Sequence, residues 1–114
     1  MNKNTYDASF QIISFAGNSH ALSQDAIVDA RAYKFEDAES KLKEAHENYV
    51  QAHDFLFKII TEESAGETNE EVDMLIVHAQ DHLTMAALAL EYANEFVSMY
   101  KKFSQLDNLL KDKI

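Results

Sequence analysis

Residues 38–59 read AESKLKEAHENYVQAHDFLFKI, and this stretch decides the fold. Within it Ala38, Leu42, Ala45, Tyr49, Ala52, Leu56 and Ile59 alternate spacings of four and three. That rhythm is the seam of a left-handed helix bundle, one apolar stripe facing partner helices. Glu39, Lys43, Glu47 and Lys58 fall on the other side and read as solvated. The helix is expected from about Phe35 to Ala65, with Gly66 supplying the left-handed residue that ends it.

Working outward, two further helices flank this one. The first is expected from about Thr5 to Ala32, with Tyr6, Phe10 and Ile13 as its apolar residues before Gly17. Beyond Gly17 the pattern loosens, so a bend is expected there, and the break at Ala32 to Phe35 has neither glycine nor proline to mark it. Glu67, Thr68 and Asn69 make a short connection, with Thr68 or Asn69 capping a third helix whose first turn holds Glu70 and Glu71. That helix is expected to reach about Phe103, and residues 104–114 to extend it or fray.

The third helix is apolar on most of its circumference. One seam reads Val72, Ile76, Ala79, Leu83, Ala86, Leu90, Ala93, Val97 and Tyr100, and a second reads Leu75, His78, His82, Met85, Ala89, Tyr92, Phe96 and Met99. Two partner helices cover about half of such a cylinder, so the rest is expected to line a contact between subunits. The fold class is therefore all-α, an antiparallel three-helix bundle forming one domain over residues 1–114, and it is expected to be a homo-oligomer.

Composition narrows the function. The 114 residues include no cysteine, which excludes disulfides and thiolate metal sites. No apolar run approaches transmembrane length, and the N-terminal residues lack a signal peptide's apolar core, so a cytoplasmic location without membrane insertion is expected. Twenty acidic residues against 10 basic ones give a formal charge of −10. No basic footprint for nucleic acid exists, and protein partners with a complementary basic face are expected instead.

The polar residues of helix three concentrate in Val77-His78-Ala79-Gln80-Asp81-His82. His78 and His82 are four apart, so their rings share a face with Cβ atoms about 6 Å apart. Asp81 is turned toward the neighbouring face. Three readings of this cluster stand side by side. In the first, both histidines are satisfied core or interface residues and Asp81 is a buried acceptor. In the second, His-x-x-Asp-His is a metal site, one methylene from an inverted zinc-protease motif, with His46 or His53 adding a ligand. In the third, a neutral imidazole accepts a phosphoryl group on one nitrogen, and its neighbour supports the transfer.

The segment Leu75-Ile-Val-His-Ala-Gln-Asp-His-Leu83 resembles the phosphorylation site of the lactose/cellobiose-specific enzyme IIA family of the phosphoenolpyruvate-dependent sugar phosphotransferase system. Ile12-Ile-Ser-Phe-Ala-Gly17, Glu44-Ala-His with Gln51-Ala-His53, and Glu63-Ser-Ala-Gly66 are similar to other parts of that family, so the resemblance spans about 6–103. The pattern departs from the family's at His20, Leu56 and Thr84-Met85.

The resemblance implies a spectrin-repeat-like bundle assembled as a homotrimer around a threefold axis. It implies a phosphotransferase component whose His78 is the phosphorylated nucleophile, His82 supporting it. The donor would be the histidine phosphocarrier protein and the acceptor a cysteine of the IIB component. Asp81 would be the metal ligand, with three copies around Mg²⁺ or a similar divalent cation at the axis, and no organic cofactor. Three like carboxylates in an apolar contact must protonate or share a cation, and a hard ion suits oxygen ligands. A regulatory interaction protein of the same fold, controlling a transcription factor or enzyme, is the alternative reading.

Overall fold

The computed structural model describes residues 3–64, Gly66 and 74–112. Three helices, α1 (Lys3–Arg31), α2 (Phe35–Ser64) and α3 (Met74–Asp112), make up the fold. The expected caps Thr68 and Asn69, and the first-turn acids Glu70 and Glu71, lie outside the described residues. Gly66 sits at φ 74° with its N–H donating to the Glu63 carbonyl, as expected of a left-handed helix end.

Two buried clusters fix the directions of the helices. Ile12 and Ala16 of α1 meet Ala52 and Ile59 of α2 and Ala79, Leu83 and Ala86 of α3. Farther along, Ala26 and Ala30 meet Ala38, Leu42, Ala93 and Val97. The late part of α2 thus packs on the early parts of α1 and α3, so α2 is antiparallel to both. The result is a rod with principal extents of 70 × 19 × 18 Å. α1 packs closely on both partners, while α2 and α3 touch along a narrower seam.

In α2 the expected seam is realised. Ala38, Leu42, Ala45, Ala52 and Ile59 are buried, and Tyr49 and Leu56 are half-buried beside them. In α1 the seam differs from expectation by one residue. Thr5, Ser9, Ile12, Ala16, Ser19, Ser23, Ala26 and Ala30 are the buried positions, whereas Tyr6 and Phe10 are each 48% exposed. Small side chains let the helices approach closely, and their hydroxyls need partners. Ser9 Oγ donates to the Thr5 carbonyl at 2.9 Å, and Ser19 Oγ reaches across to the Ala45 carbonyl at 2.7 Å. The helix runs unbroken through Gly17.

The turn between α1 and α2 is closed without glycine. Tyr33 takes the left-handed conformation at φ 62°. The Lys34 N–H donates to the Asp29 carbonyl and the Tyr33 N–H to the Ala30 carbonyl, the paired bonds of a Schellman end. The Tyr33 ring stacks on Phe35, its hydroxyl donates to Asp107, and Lys41 pairs with Asp29 at 2.7 Å. These side chains hold in place a backbone conformation that tyrosine otherwise resists.

Candidate functional site

α3 contains no glycine or proline, so its backbone carries one uninterrupted helical period from Met74 to Asp112. Ala79, Leu83, Ala86, Ala93 and Val97 are its buried residues, and they set its rotation against α1 and α2. With that rotation fixed, each polar side chain of the 78–82 segment has a definite place.

His78 and His82 come together as the spacing requires. Their rings are nearly perpendicular, with centroids 4.5 Å apart. The two Nε2 atoms face each other at 3.1 Å, a hydrogen-bond distance. One Nε2 must therefore carry a proton and donate it to the lone pair of the other. His78 is exposed, and His82 is half-buried. The pair thus presents one accessible imidazole, oriented by a less accessible one.

Asp81 is exposed, not buried by the helices of its own chain. Its surroundings on α3 are apolar nevertheless. Val77 and Met85, one turn to either side, and Leu88, two turns on, are 40%, 44% and 44% exposed. Tyr92, Phe96, Met99 and Phe103 continue this outward stripe. By helical period, Asp81 lies on its middle and His78 on its flank. The expectation of a carboxylate enclosed in an apolar setting is therefore not met within one chain. The single chain cannot cover that side, because α1 and α2 both pack on the opposite face.

Neither His46 nor His53 completes a three-residue ligand cluster with the pair. His46 lies with Glu39, Leu42, Lys43, Leu90 and Asn94 along the groove between α2 and α3, level with Leu90 and not with His78. His53 is exposed and stacks on Phe57 of its own helix, centroids 6.5 Å apart. Among the described residues no three His, Cys, Asp or Glu side chains converge on one point. A protease-type site with His46 or His53 as third ligand thus finds no support. Thr84 Oγ1 donates to the Gln80 carbonyl at 3.0 Å and Met85 points outward, so the Thr84-Met85 order leaves the pair's geometry undisturbed.

Comparison with known proteins is decisive at this point. The family described as "PTS system, Lactose/Cellobiose specific IIA subunit" matches residues 7–101. The chain belongs to that family. Among curated IIA components, the lichenan-specific phosphotransferase enzyme IIA component of Bacillus subtilis is 35% identical over 105 residues, covering 92% of this chain and 94% of the relative. The crystal structure of the cellobiose-specific enzyme IIA from Bacillus anthracis superimposes with a TM-score of 0.85 at 33% identity, over 92% of this chain and 95% of that one. The solution structures of the IIA(chitobiose)–HPr complex match with a TM-score of 0.78 at 25% identity, over 90% and 99%.

As a IIA component the protein is a member of a phosphotransferase relay serving sugar uptake. No described helix is long and apolar enough to cross a membrane. The Tyr33–Asp107 tie escaped the sequence reading. Only the unmarked boundary between α1 and α2 hinted that a side chain had replaced the usual glycine.

Proposed function

We propose that the protein accepts a phosphoryl group on Nε2 of His78 from the histidine phosphocarrier protein, HPr. It then passes the group to a cysteine of the IIB component during uptake of a lactose/cellobiose-type sugar. The observation that carries this reading is the 3.1 Å contact between the Nε2 atoms of His78 and His82 on an exposed face. If His82 is the donor, His78 Nε2 is the unprotonated nitrogen of its ring, its lone pair accepting that bond until a phosphoryl donor docks. The incoming group then displaces that hydrogen bond, and the His82 N–H turns to a phosphoryl oxygen.

The steps balance without a further reactant. The His78 lone pair forms a new P–N bond as the donor's P–N bond breaks, its electron pair returning to the donor imidazole. In the second step a thiolate forms a P–S bond, and the P–N electron pair returns to His78. The charge of −10 favours steering of a basic donor face onto the site. A related IIA(chitobiose) forms a complex with HPr, which supports that choice of donor. A cytoplasmic location goes with this reading.

The same reading makes the protein a homotrimer around α3. The outward stripe supports it, since a monomer rarely leaves so long an apolar face in water. Asp81 is a hard oxygen donor in the middle of that stripe, and among the described residues of one chain it belongs to no three-residue ligand cluster. Three copies of Asp81 would hold Mg²⁺ or a similar divalent cation at the axis. When bound, the ion would offset the repulsion of three like carboxylates, and phosphoryl transfer would not pass through it.

The test is intact mass after incubation with phosphoenolpyruvate, enzyme I and HPr. One acid-labile phosphoryl group is expected on the wild-type chain and none on His78→Ala, with the helical circular dichroism of both alike. Unmodified wild-type protein beside a donor shown to be competent would sink the proposal.

A further inference from the structure

His78 and His82 hold two nitrogens at a separation that one metal ion can bridge. The four-residue spacing on an unbroken helix brings the side chains to one face, and their Nε2 atoms stand 3.1 Å apart. Two nitrogens bound to one tetrahedral ion at about 2.0–2.1 Å are themselves about 3.3 Å apart. A small rotation about the side-chain torsions closes that difference. His82 is half-buried and anchors one side, while His78 is exposed and leaves the other side open to water.

In the neutral pair one proton lies between the two nitrogens. Moving it to Nδ1 of its own ring frees both Nε2 lone pairs, and an ion then takes the proton's place with no net change in protonation. Among the described residues no third His, Cys, Asp or Glu joins the pair, so water completes the coordination and the ion stays exchangeable. Imidazole nitrogens suit Zn²⁺, Cu²⁺ and Ni²⁺, with Cu²⁺ the tightest, whereas Mg²⁺ and Ca²⁺ take oxygen ligands. The formal charge of −10 favours the approach of any cation.

We propose that His78 and His82 form a two-histidine site for a divalent transition-metal ion, Zn²⁺ or Cu²⁺, whose binding stops phosphoryl transfer. The inference rests on the reading of His78 as the phosphoryl acceptor and adds a regulator of that same site. Ion and phosphoryl group compete for one lone pair, that of His78 Nε2, so each excludes the other. Linkage makes the exclusion reciprocal: a phosphorylated chain binds the ion as poorly as the ion-bound chain accepts phosphate. The site is distinct from an oxygen site at Asp81, because its donors are nitrogens that Mg²⁺ does not choose.

The experiment is calorimetric titration of Zn²⁺ into the full chain at neutral pH, with Mg²⁺ in excess. One Zn²⁺ per chain is expected, and His78→Ala and His82→Ala should each weaken it at least tenfold while their helical circular dichroism matches wild type. His53→Ala and Asp81→Asn should bind Zn²⁺ as wild type does. Histidine-ring NMR spectra should show the Nε2 signals of both His78 and His82 moving as the ion binds. Zn²⁺-loaded chain should accept phosphate from phosphorylated HPr at least tenfold more slowly, and a chelator should restore the rate. Zn²⁺ binding that survives loss of either histidine, or that is lost in Asp81→Asn, would overturn the site and leave the carrier reading standing. An ion held by the pair that leaves the transfer rate unchanged would overturn its regulatory role. A chain that binds Zn²⁺ at the pair but takes no phosphate even without the ion would overturn both that role and the carrier reading.

Discussion

The two faces of α3 differ in the size of their side chains more than in their polarity. The inward face is built on Ala79, Leu83, Ala86, Ala93 and Val97, the outward one on Met85, Leu88, Tyr92, Phe96, Met99 and Phe103. Small residues belong where another backbone comes close, and large ones where space must be filled from one side. Both faces are apolar, yet only the inward one is occupied by the chain's own helices. The site follows from this difference. A histidine placed inward would be entombed, and one in the middle of the outward stripe would be covered by an assembly. His78, on the flank, is exposed in the single chain.

The largest effect expected from breaking this comparison is on the outward face. Tyr92, 56% exposed, is central to the stripe. Tyr92→Lys would place a charge there and weaken self-association about 100-fold, close to 2.7 kcal/mol, in the range of an aromatic interface anchor. The melting of the isolated chain should barely change, since Tyr92 touches no core. Association measured by light scattering across concentrations is the check. An unchanged curve would mean that the outward face is merely exposed.

The inward face should respond in the opposite way. Ala86 is fully buried between α1 and α2. Ala86→Leu adds volume where helices already touch, and overpacking of this kind costs about 1–3 kcal/mol. The melting temperature should fall by several degrees. Leu88→Ala, two residues along and 44% exposed, is the paired control and should leave the isolated chain's stability nearly untouched. Equal losses at the two positions would erase the distinction between the faces.

How much of this was legible beforehand differs from helix to helix. The seam of α2 could be read because its buried residues are apolar and its solvated ones charged. The seam of α1 was misread because half of it is Thr5, Ser9, Ser19 and Ser23. A buried serine looks polar to any pattern of hydropathy, and only the hydroxyl's partner shows why it is tolerated. Ser19 finds one on α2, whereas Ser23 Oγ has none among the described residues. In α3 the seams were legible but not their assignment, because an all-round apolar helix gives no sign of which face meets its own chain. For the same reason the meeting of His78 and His82 could be foreseen from four-residue spacing, while the exposure of His78 and Asp81 could not.

The smallest effect concerns the turn that joins the two ends of the comparison. The hydrogen bond from Tyr33 to Asp107 raises the tyrosine's pKa above its ordinary 10.0, desolvation and the nearby carboxylate charge adding to it. The neutral phenol is therefore the form the fold prefers. Its contribution to stability is whole below pH 10, the unfolded value, and is lost as pH rises through the higher folded value. Tyr33→Phe keeps the ring that stacks on Phe35 but deletes the donor. Wild type should melt slightly above the variant at neutral pH, and the two curves should converge on the alkaline side. Since both groups are largely solvated, the gap should be small and should narrow further with salt. A gap that does not narrow as the tyrosine titrates would show that the phenol proton is not what ties the turn to the end of α3.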